Sequence, residues 1–160
     1  MTNDESQPIF SCIERWHEHL RGELPGGLDA ILHEDCVFVS PIVYTPQEGR
    51  ELTKMYLAAA GGTFGGDPKQ AAVVAAPDDD LAGGDGGDDG KFHYVKKILQ
   101  ENQAMLEFEV SVDGKYVNGV DIITCDDDGL ITEFKVMIRP LQAINVMHAQ
   151  MKAMIERLNA

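Results

Sequence analysis

The chain has 160 residues, and its 27 Asp and Glu against 13 Lys and Arg give a formal net charge of -14. The length suits one ordinary domain, and a hydrophobic fraction of 44% suits a globular one. The acidic balance disfavours nucleic acid and anionic membranes as partners, because both require a basic surface, and no apolar run approaches the ~20 residues that span a bilayer.

The N-terminal quarter predicts two helices and a short strand. Ser6 can cap a helix that has Pro8 in its first turn. A second, short helix is expected at Leu28–His33, and a strand at Val37–Val39 is stopped by a proline. Apolar residues recur at helical spacing in the first helix: Ile9, Ile13, Trp16 and Leu20.

A third helix is predicted from the capping sequence 45–48 to about Ala60, stopped by Gly61 and Gly62. Ala71–Ala76 can form a short strand. The Gly- and Asp-rich stretch Pro77–Gly90 cannot bury enough apolar surface to offset its ordering entropy. We expect it to be a mobile loop within a single domain covering residues 1–160.

The C-terminal half predicts a run of antiparallel strands followed by a helix that Pro140 opens. The turn at Asp113-Gly114 is a strong signal for a two-residue hairpin. The strands are expected at Phe92–Leu99, Gln103–Val112, Tyr116–Cys125 and Leu130–Ile138.

The hairpin fixes which side chains share a face of the sheet, because directly opposed residues point to the same side. Leu106 then opposes Asp121, and a four-residue second turn places Phe134 on that face too. The predicted inner face is apolar except for Asp121: Leu106, Phe108, Val110, Val117, Gly119, Asp121, Ile123, Phe134, Val136 and Ile138. We expect Gly119, beside Asp121, to leave space for a ligand.

The opposite face mixes charges with Val, Ile and Met, which is too apolar for a purely solvated sheet. It predicts a two-fold homodimer in which a Glu of one chain meets Lys135 of the other. The apolar residues assigned to this interface are Val120, Ile122, Ile131 and Met137, ringed by Glu107, Glu109 and Lys135.

The three cysteines, Cys12, Cys36 and Cys125, are an odd and sparse set without CxxC spacing. This argues against a disulfide framework or a structural zinc site. The first seven residues are polar and lack the apolar core of a signal peptide. A cytoplasmic location is therefore expected, with no cofactor and no metal.

The order of elements resembles the nuclear-transport-factor-2-like superfamily and, within it, the SnoaL-like group. The resemblance rests on Cys36–Pro41, Asn118–Asp121 and Asp128–Phe134. It implies an α+β fold, in which a curved antiparallel sheet wraps around a conical pocket closed by N-terminal helices and a C-terminal helix. Members are often homodimers through the outer sheet face, and they include ketosteroid isomerases, polyketide cyclases, dehydratases and non-catalytic carriers.

Within this resemblance, Asp121 matches the strand carboxylate that SnoaL-like cyclases use as an acid or base. Burial would raise its pKa toward a useful range, and His93 is a candidate proton-transfer partner. The alternatives are a structural Asp121 that holds a Trp, Tyr or backbone group, and a surface His93. The isomerase base position before Pro41 is occupied by Ser40. The predicted ligand-binding residues are Trp16, Tyr44, Tyr56, Phe108 and Phe134.

The leading hypothesis from these residues is a pocketed protein that binds an apolar or aromatic small metabolite. Asp121 would supply acid/base chemistry for a cyclisation, isomerisation or dehydration. The alternative hypothesis is a non-catalytic, dimeric ligand-binding or interaction module, which is favoured by Ser40 at the base position.

Overall fold

The computed structural model describes residues 5–65 and 90–158. The four helices are α1 Pro8–Leu20, α2 Leu28–Ile31, α3 Arg50–Gly65 and α4 Leu141–Leu158. The strand predicted at Ala71–Ala76 and, apart from Gly90, the loop predicted at Pro77–Gly90 lie outside the described residues. Within those residues no helix is long and apolar enough to cross a membrane.

Six strands form one curved, open sheet in the order β2-β1-β6-β5-β4-β3. Neighbouring strands are antiparallel, apart from the parallel pair β1 and β6. The predicted α+β class is therefore confirmed. The strands are β1 Leu32–Val39, β2 Gln47–Glu48, β3 His93–Gln100, β4 Gln103–Val112, β5 Lys115–Cys125 and β6 Ile131–Arg139.

The β4–β5 hairpin has the predicted register. Asp113 and Gly114 both adopt positive φ, 51° and 74°, which is the backbone that a tight two-residue turn requires. Leu106 pairs with Asp121 along this ladder. The local turn chemistry thus places Asp121 on the face that the helices cover.

Phe134 lies on the predicted face of β6, although it pairs with Ile123 and not with Asp121 as the four-residue turn implied, and the assignment of Ile131 to the outer face is wrong. Thr124 pairs with Glu133 whereas Cys125 pairs with Ile131, so β6 has one extra residue at this point. Such a bulge moves the side chains beyond it to the opposite face. Ile131 is accordingly 0% exposed and belongs to the core.

The starts of α1 and α3 also differ from the prediction. Gln7, not Ser6, precedes α1, and no side chain caps this helix. The Gln7 side chain instead accepts a hydrogen bond from the backbone N–H of Glu101 at 2.7 Å, which ties the helix start to the β3–β4 turn. Residues 47–48 pair with β1, so α3 begins at Arg50 and continues through the predicted Gly stop to Gly65.

The core lies between the concave face of the sheet and the helices. Helix α1 crosses β3, β4 and β5, while α3 packs against β1 and α4. The described core includes large side chains that are fully buried, because the helices remove this face from water. They are Ile9, Ile31, Leu32, Phe38, Leu106, Phe108, Val117, Ile123, Ile131, Phe134 and Met147.

Candidate functional site

Asp121 is the last member of a buried hydrogen-bond chain under α1. The indole Nε1 of Trp16 donates to the hydroxyl of Tyr94 at 3.0 Å. That hydroxyl donates to Oδ2 of Asp121 at 2.7 Å. Asp121 retains only 6% exposure, and Trp16 and Tyr94 are also buried. The chain connects α1, β3 and β5, so the position of the carboxylate is fixed by three separate elements.

Burial is the main influence on the pKa values of the residues in this hydrogen-bond chain. It raises the pKa of Asp121 to about 7, because an apolar environment disfavours the charged form. The hydrogen bond from Tyr94 acts in the opposite direction and lowers the pKa of Asp121. Burial and the neighbouring Asp121 together hold the pKa of Tyr94 well above its usual range. Asp121 therefore exchanges its proton near neutral pH, while Tyr94 stays protonated.

Aromatic rings surround the hydrogen-bond chain. Trp16 packs against Phe134 with ring centroids 5.0 Å apart, and Phe134 lies beside Phe38. Phe38 in turn stacks on Tyr56 at 5.2 Å. On the other side of the chain, Phe92 contacts both Tyr94 and Phe108. Four of the predicted ligand-binding residues thus belong to aromatic contacts that reach the hydrogen-bond chain, Tyr56 only through Phe38 and Phe134: Trp16, Tyr56, Phe108 and Phe134.

Two predicted site residues lie elsewhere. Tyr44 is 99% exposed in the loop between β1 and β2. His93 is exposed, pairs with Glu109, and has its Nδ1 3.0 Å from the backbone oxygen of Lys91. Since side chains alternate along β3, the neighbouring Tyr94 points inward and His93 points away from Asp121. The structure does not bring His93 to the carboxylate.

The space expected above Gly119 is occupied by Phe108. A Cβ placed on Gly119 would lie 2.5 Å from Cζ of Phe108 and 2.7 Å from the backbone oxygen of Met137. The glycine therefore permits an aromatic ring to lie directly on the strand, and it does not create a gap for a ligand. The expectation of free space at this position is wrong.

Ser40, at the position where related isomerases carry a base, is engaged in a turn. Its Oγ accepts hydrogen bonds from the backbone N–H groups of Ile42 at 3.0 Å and Val43 at 3.1 Å. This is the usual way in which a serine stabilises the exit from a strand. Ser40 therefore contributes to the loop geometry, with its hydroxyl engaged by two backbone N–H groups.

His17 is a buried residue beside the hydrogen-bond chain that the sequence pattern did not single out. It is 8% exposed, and its ring meets the ring of Tyr94 edge-on with centroids 5.9 Å apart. All five histidines are within the described residues, and His17 is the buried one. Its spacing could have revealed its burial, because His17 lies four residues after Ile13 and three before Leu20, on the inward face of α1.

Replacing Tyr94 by Phe is expected to raise the pKa of Asp121 above its wild-type value, because the lost hydroxyl stabilises the ionised carboxylate. The pKa can be followed through the carboxyl carbon shift of Asp121 in an NMR titration. The matched control is Tyr116→Phe at a half-exposed site on β5, which should leave the titration of Asp121 unchanged. An unaltered midpoint in Tyr94→Phe would show that the hydrogen bond is absent in solution.

Several solved structures share this fold. A steroid delta-isomerase from Pseudomonas aeruginosa is 25% identical with a TM-score of 0.71, and the match covers 96% of each chain. An uncharacterised protein with a cystatin-like fold from Silicibacter pomeroyi DSS-3 is also 25% identical, with a TM-score of 0.69, covering 92% of this chain and 86% of that one.

A nuclear-transport-factor-2-like protein of unknown function from Mesorhizobium loti is 16% identical with a TM-score of 0.57, covering 88% of this chain and 98% of that one. No protein-family model matches the sequence, and no curated protein matches it significantly. The fold therefore matches the one that the resemblance to the nuclear-transport-factor-2-like superfamily predicts.

Proposed function

We propose that the protein binds an apolar or aromatic small metabolite on the concave face of its sheet and that Asp121 moves a proton at the ligand. The reaction would be a cyclisation, isomerisation or dehydration, in which a proton moves at a carbonyl oxygen or at the adjacent carbon. The observation that carries this proposal is a buried carboxyl group with a pKa of about 7 among aromatic rings. Perturbed carboxyl groups of this kind cluster at functional sites.

The hydrogen-bond chain suits Asp121 to this role. Tyr94 occupies Oδ2, and Oδ1 has no hydrogen-bond partner among the described residues. A neutral carboxylic acid can therefore accept from Tyr94 at one oxygen and donate a proton from the other. With a pKa of about 7, a substantial fraction of Asp121 carries its proton at neutral pH, and a buried protonated acid is an effective donor to a developing oxyanion. The steroid delta-isomerase from Pseudomonas aeruginosa, with its similar fold, is consistent with such chemistry.

The proposal can be tested with 2-tetralone, a flat ring ketone with acidic protons beside its carbonyl. We expect the wild-type protein to accelerate exchange of these protons in deuterium oxide, followed by proton NMR. Asp121→Asn should reduce the acceleration by about 10²- to 10⁴-fold, the usual contribution of a positioned acid or base, while quenching of Trp16 fluorescence still reports binding. The exposed carboxylate variant Asp128→Asn is the control and should exchange as the wild type does.

A non-catalytic ligand-binding or interaction module is the second candidate. It is favoured by the engagement of Ser40 in a turn, which removes the base found in related isomerases. In this case 2-tetralone would quench Trp16 without any enhancement of proton exchange. Asp121 would then serve to hold Tyr94 and Trp16 in place.

We also propose that the outer face of the sheet forms a two-fold homodimer. Four of its large apolar side chains are exposed although they stand on regular strands: Ile98, Met105, Tyr116 and Met137. Ile98, Met105 and Met137 line a groove of about 370 Å³, together with the charged residues Lys96, Glu107 and Arg139. Because both signs of charge flank an apolar floor, the face can complement a second copy of itself.

Met137→Glu should convert this dimer to a monomer of about 17.5 kDa in sedimentation experiments, because it introduces an unpaired charge at the apolar centre of the interface. Tyr44→Glu, at an exposed site in the loop between β1 and β2, should leave the association unchanged. A wild-type protein that sediments as a monomer at micromolar concentration would contradict the proposal.

A cytoplasmic location is also proposed, supported by three cysteines that are all free and buried.

A further inference from the structure

Cys12 and Cys125 meet in the core beneath the first turns of α1. Cys12 lies in the second turn of this helix and Cys125 is the last residue of β5. Both are buried, with 0% and 3% exposure, and their thiols are hydrogen-bonded to each other. The remaining cysteine, Cys36 on β1, is also buried, but its thiol interacts with Thr53 instead. Two of the three free thiols are therefore in direct contact across two separate elements.

The turn between β3 and β4 anchors the backbone on both sides of this thiol pair. At the start of α1, the backbone N–H of Ile9 donates to the backbone oxygen of Glu101 at 3.0 Å. At the end of β5, the backbone N–H of Cys125 donates to the backbone oxygen of Asn102 at 2.9 Å, and the Asn102 side chain donates back to the backbone oxygen of Cys125 at 3.0 Å. Because Glu101 and Asn102 are adjacent, one turn holds both elements. A disulfide requires such a close and fixed approach of two cysteines.

We propose that Cys12 and Cys125 are a site of reversible oxidative modification, at which a peroxide converts the two thiols to a disulfide that joins α1 to β5. The inference is independent of the proposed function. Disulfides inside the cytoplasm are usually transient and catalytic or redox-sensing. Two thiols that are in contact and yet free match a transient link better than a permanent structural one.

The hydrogen bond between the thiols makes Cys125 the nucleophile of the pair. The bond from Cys12 lowers the pKa of Cys125, although burial and the neighbouring Asp126 and Asp127 oppose this effect. The same bond and burial raise the pKa of Cys12, which stays protonated as the donor. Since the thiolate is the reactive form of cysteine, Cys125 is attacked by an oxidant first.

The atoms and electrons of the oxidation balance with hydrogen peroxide as the oxidant. The Cys125 thiolate attacks one peroxide oxygen, the O–O bond breaks, and the departing hydroxide takes up a proton to become water. This step leaves a sulfenic acid on Cys125. The Cys12 sulfur then attacks the sulfenic sulfur, and the proton of Cys12 leaves with the displaced hydroxyl group as a second water. Two thiols are oxidised to one disulfide, and one peroxide is reduced to two waters.

The disulfide would fasten the helix that covers the candidate site. Trp16 lies one turn after Cys12 on the inward face of α1, and Asp121 lies on the same face of β5 as Cys125. The covalent link would therefore join the two elements that the hydrogen-bond chain through Tyr94 also connects. A cross-link suppresses the open states in which its two elements separate. We expect oxidation to slow the local opening of α1 from the sheet.

Treatment of the full chain with hydrogen peroxide tests the site. After unfolding in urea, the reduced chain should titrate with three thiols and the oxidised chain with one, that of Cys36. The intact mass should fall by about 2 Da for the two hydrogens lost, and a digest should contain a peptide that links Cys12 to Cys125. Dithiothreitol should restore all three thiols, because it reduces a disulfide but not a sulfinic acid. Cys36→Ala is the matched control and should still lose two thiols, whereas Cys125→Ala should form no disulfide.

Amide hydrogen exchange in α1 measures the consequence of the link. Exchange should be slower in the oxidised than in the reduced wild type, and peroxide should leave it unchanged in Cys12→Ala. Three titratable thiols after peroxide treatment, a link that involves Cys36, or a gain in mass from sulfinic acid would each overturn the proposal, and all three are read from the wild type without a variant. A confirmed disulfide with unaltered exchange in α1 would overturn the fastening of the helix and leave the modification site standing.

Discussion

Between pH 5 and pH 8, the free energy of unfolding of the wild-type protein is expected to fall by about 3 kcal/mol relative to that of Asp121→Asn. The cause is the native pKa of Asp121, which burial raises from 3.8 to about 7. As the pH rises, the unfolded chain releases this proton first and the folded chain retains it, so rising pH favours unfolding. Each unit of difference in pKa corresponds to about 1.36 kcal/mol.

The raised pKa of Asp121 determines both the direction of the stability change and the pH range over which it occurs. The stability that the protonated carboxyl group contributes is fully present below the unfolded pKa and is lost as the pH rises through the native pKa. Most of the loss therefore occurs between about pH 4 and pH 7 and is about 4 kcal/mol in total. The amide that replaces the carboxyl group in Asp121→Asn does not titrate, and its oxygen can still accept the hydrogen bond from Tyr94.

Urea denaturation of both proteins across this pH range measures the difference directly. Asp128→Asn serves as the matched control, since it removes an exposed carboxylate and should retain the wild-type pH dependence. Parallel stability curves for the wild type and Asp121→Asn would mean that the native pKa is not raised. The proposed acid would then be fully ionised at neutral pH, and the proposed chemistry would lose its proton donor.

This pH dependence bears on the two roles considered for Asp121. A carboxyl group whose task is only to hold Tyr94 could be replaced by an amide, which accepts the same hydrogen bond without a cost of ionisation. Active sites often contain residues that lower the stability of the fold in exchange for function. An aspartate that destabilises the fold at neutral pH fits this pattern. Higher stability of Asp121→Asn at pH 8 would therefore support a functional role.

The local parts of the fold were predictable from the sequence, whereas features set by tertiary contacts were not. The Asp113-Gly114 turn fixes the β4–β5 register through its own backbone conformation, and so Asp121 was placed correctly. The bulge opposite Thr124 has no glycine or proline to reveal it, and Ile131 was therefore placed on the wrong face. The start of α3 was misplaced because residues 47–48 pair with the distant β1.

The candidate site was likewise predictable only where local sequence determines it. Asp121 was recognisable as the one carboxylate in an apolar alternating pattern, but its partner Tyr94 was not. Strand β3 follows a long segment without strong pattern, and its register against β4 shifts between Tyr94 and Lys96. Alternation alone could not decide whether His93 or Tyr94 points inward. His17 was missed because a single polar residue in a helical apolar stripe resembles an ordinary boundary position.

Gly119→Ala is expected to destabilise the fold toward the upper end of the roughly 1–3 kcal/mol typical of overpacking. The added methyl group would meet Cζ of Phe108 at 2.5 Å and the backbone oxygen of Met137 at 2.7 Å. The aromatic ring can move only by displacing other core rings, since Phe92 lies 4.9 Å from it. The carbonyl oxygen belongs to the neighbouring strand and cannot move without distorting the ladder.

A double-mutant cycle with Phe108→Leu separates these two clashes, because the smaller side chain removes the ring and leaves the carbonyl oxygen in place. We expect Gly119→Ala to cost less in the Phe108→Leu background, but still to lower the midpoint of urea denaturation. If Gly119→Ala is as stable as the wild type, the Phe108 ring does not lie on the strand. The space beside Asp121 would then be open at Gly119, and a ligand could approach the carboxylate there.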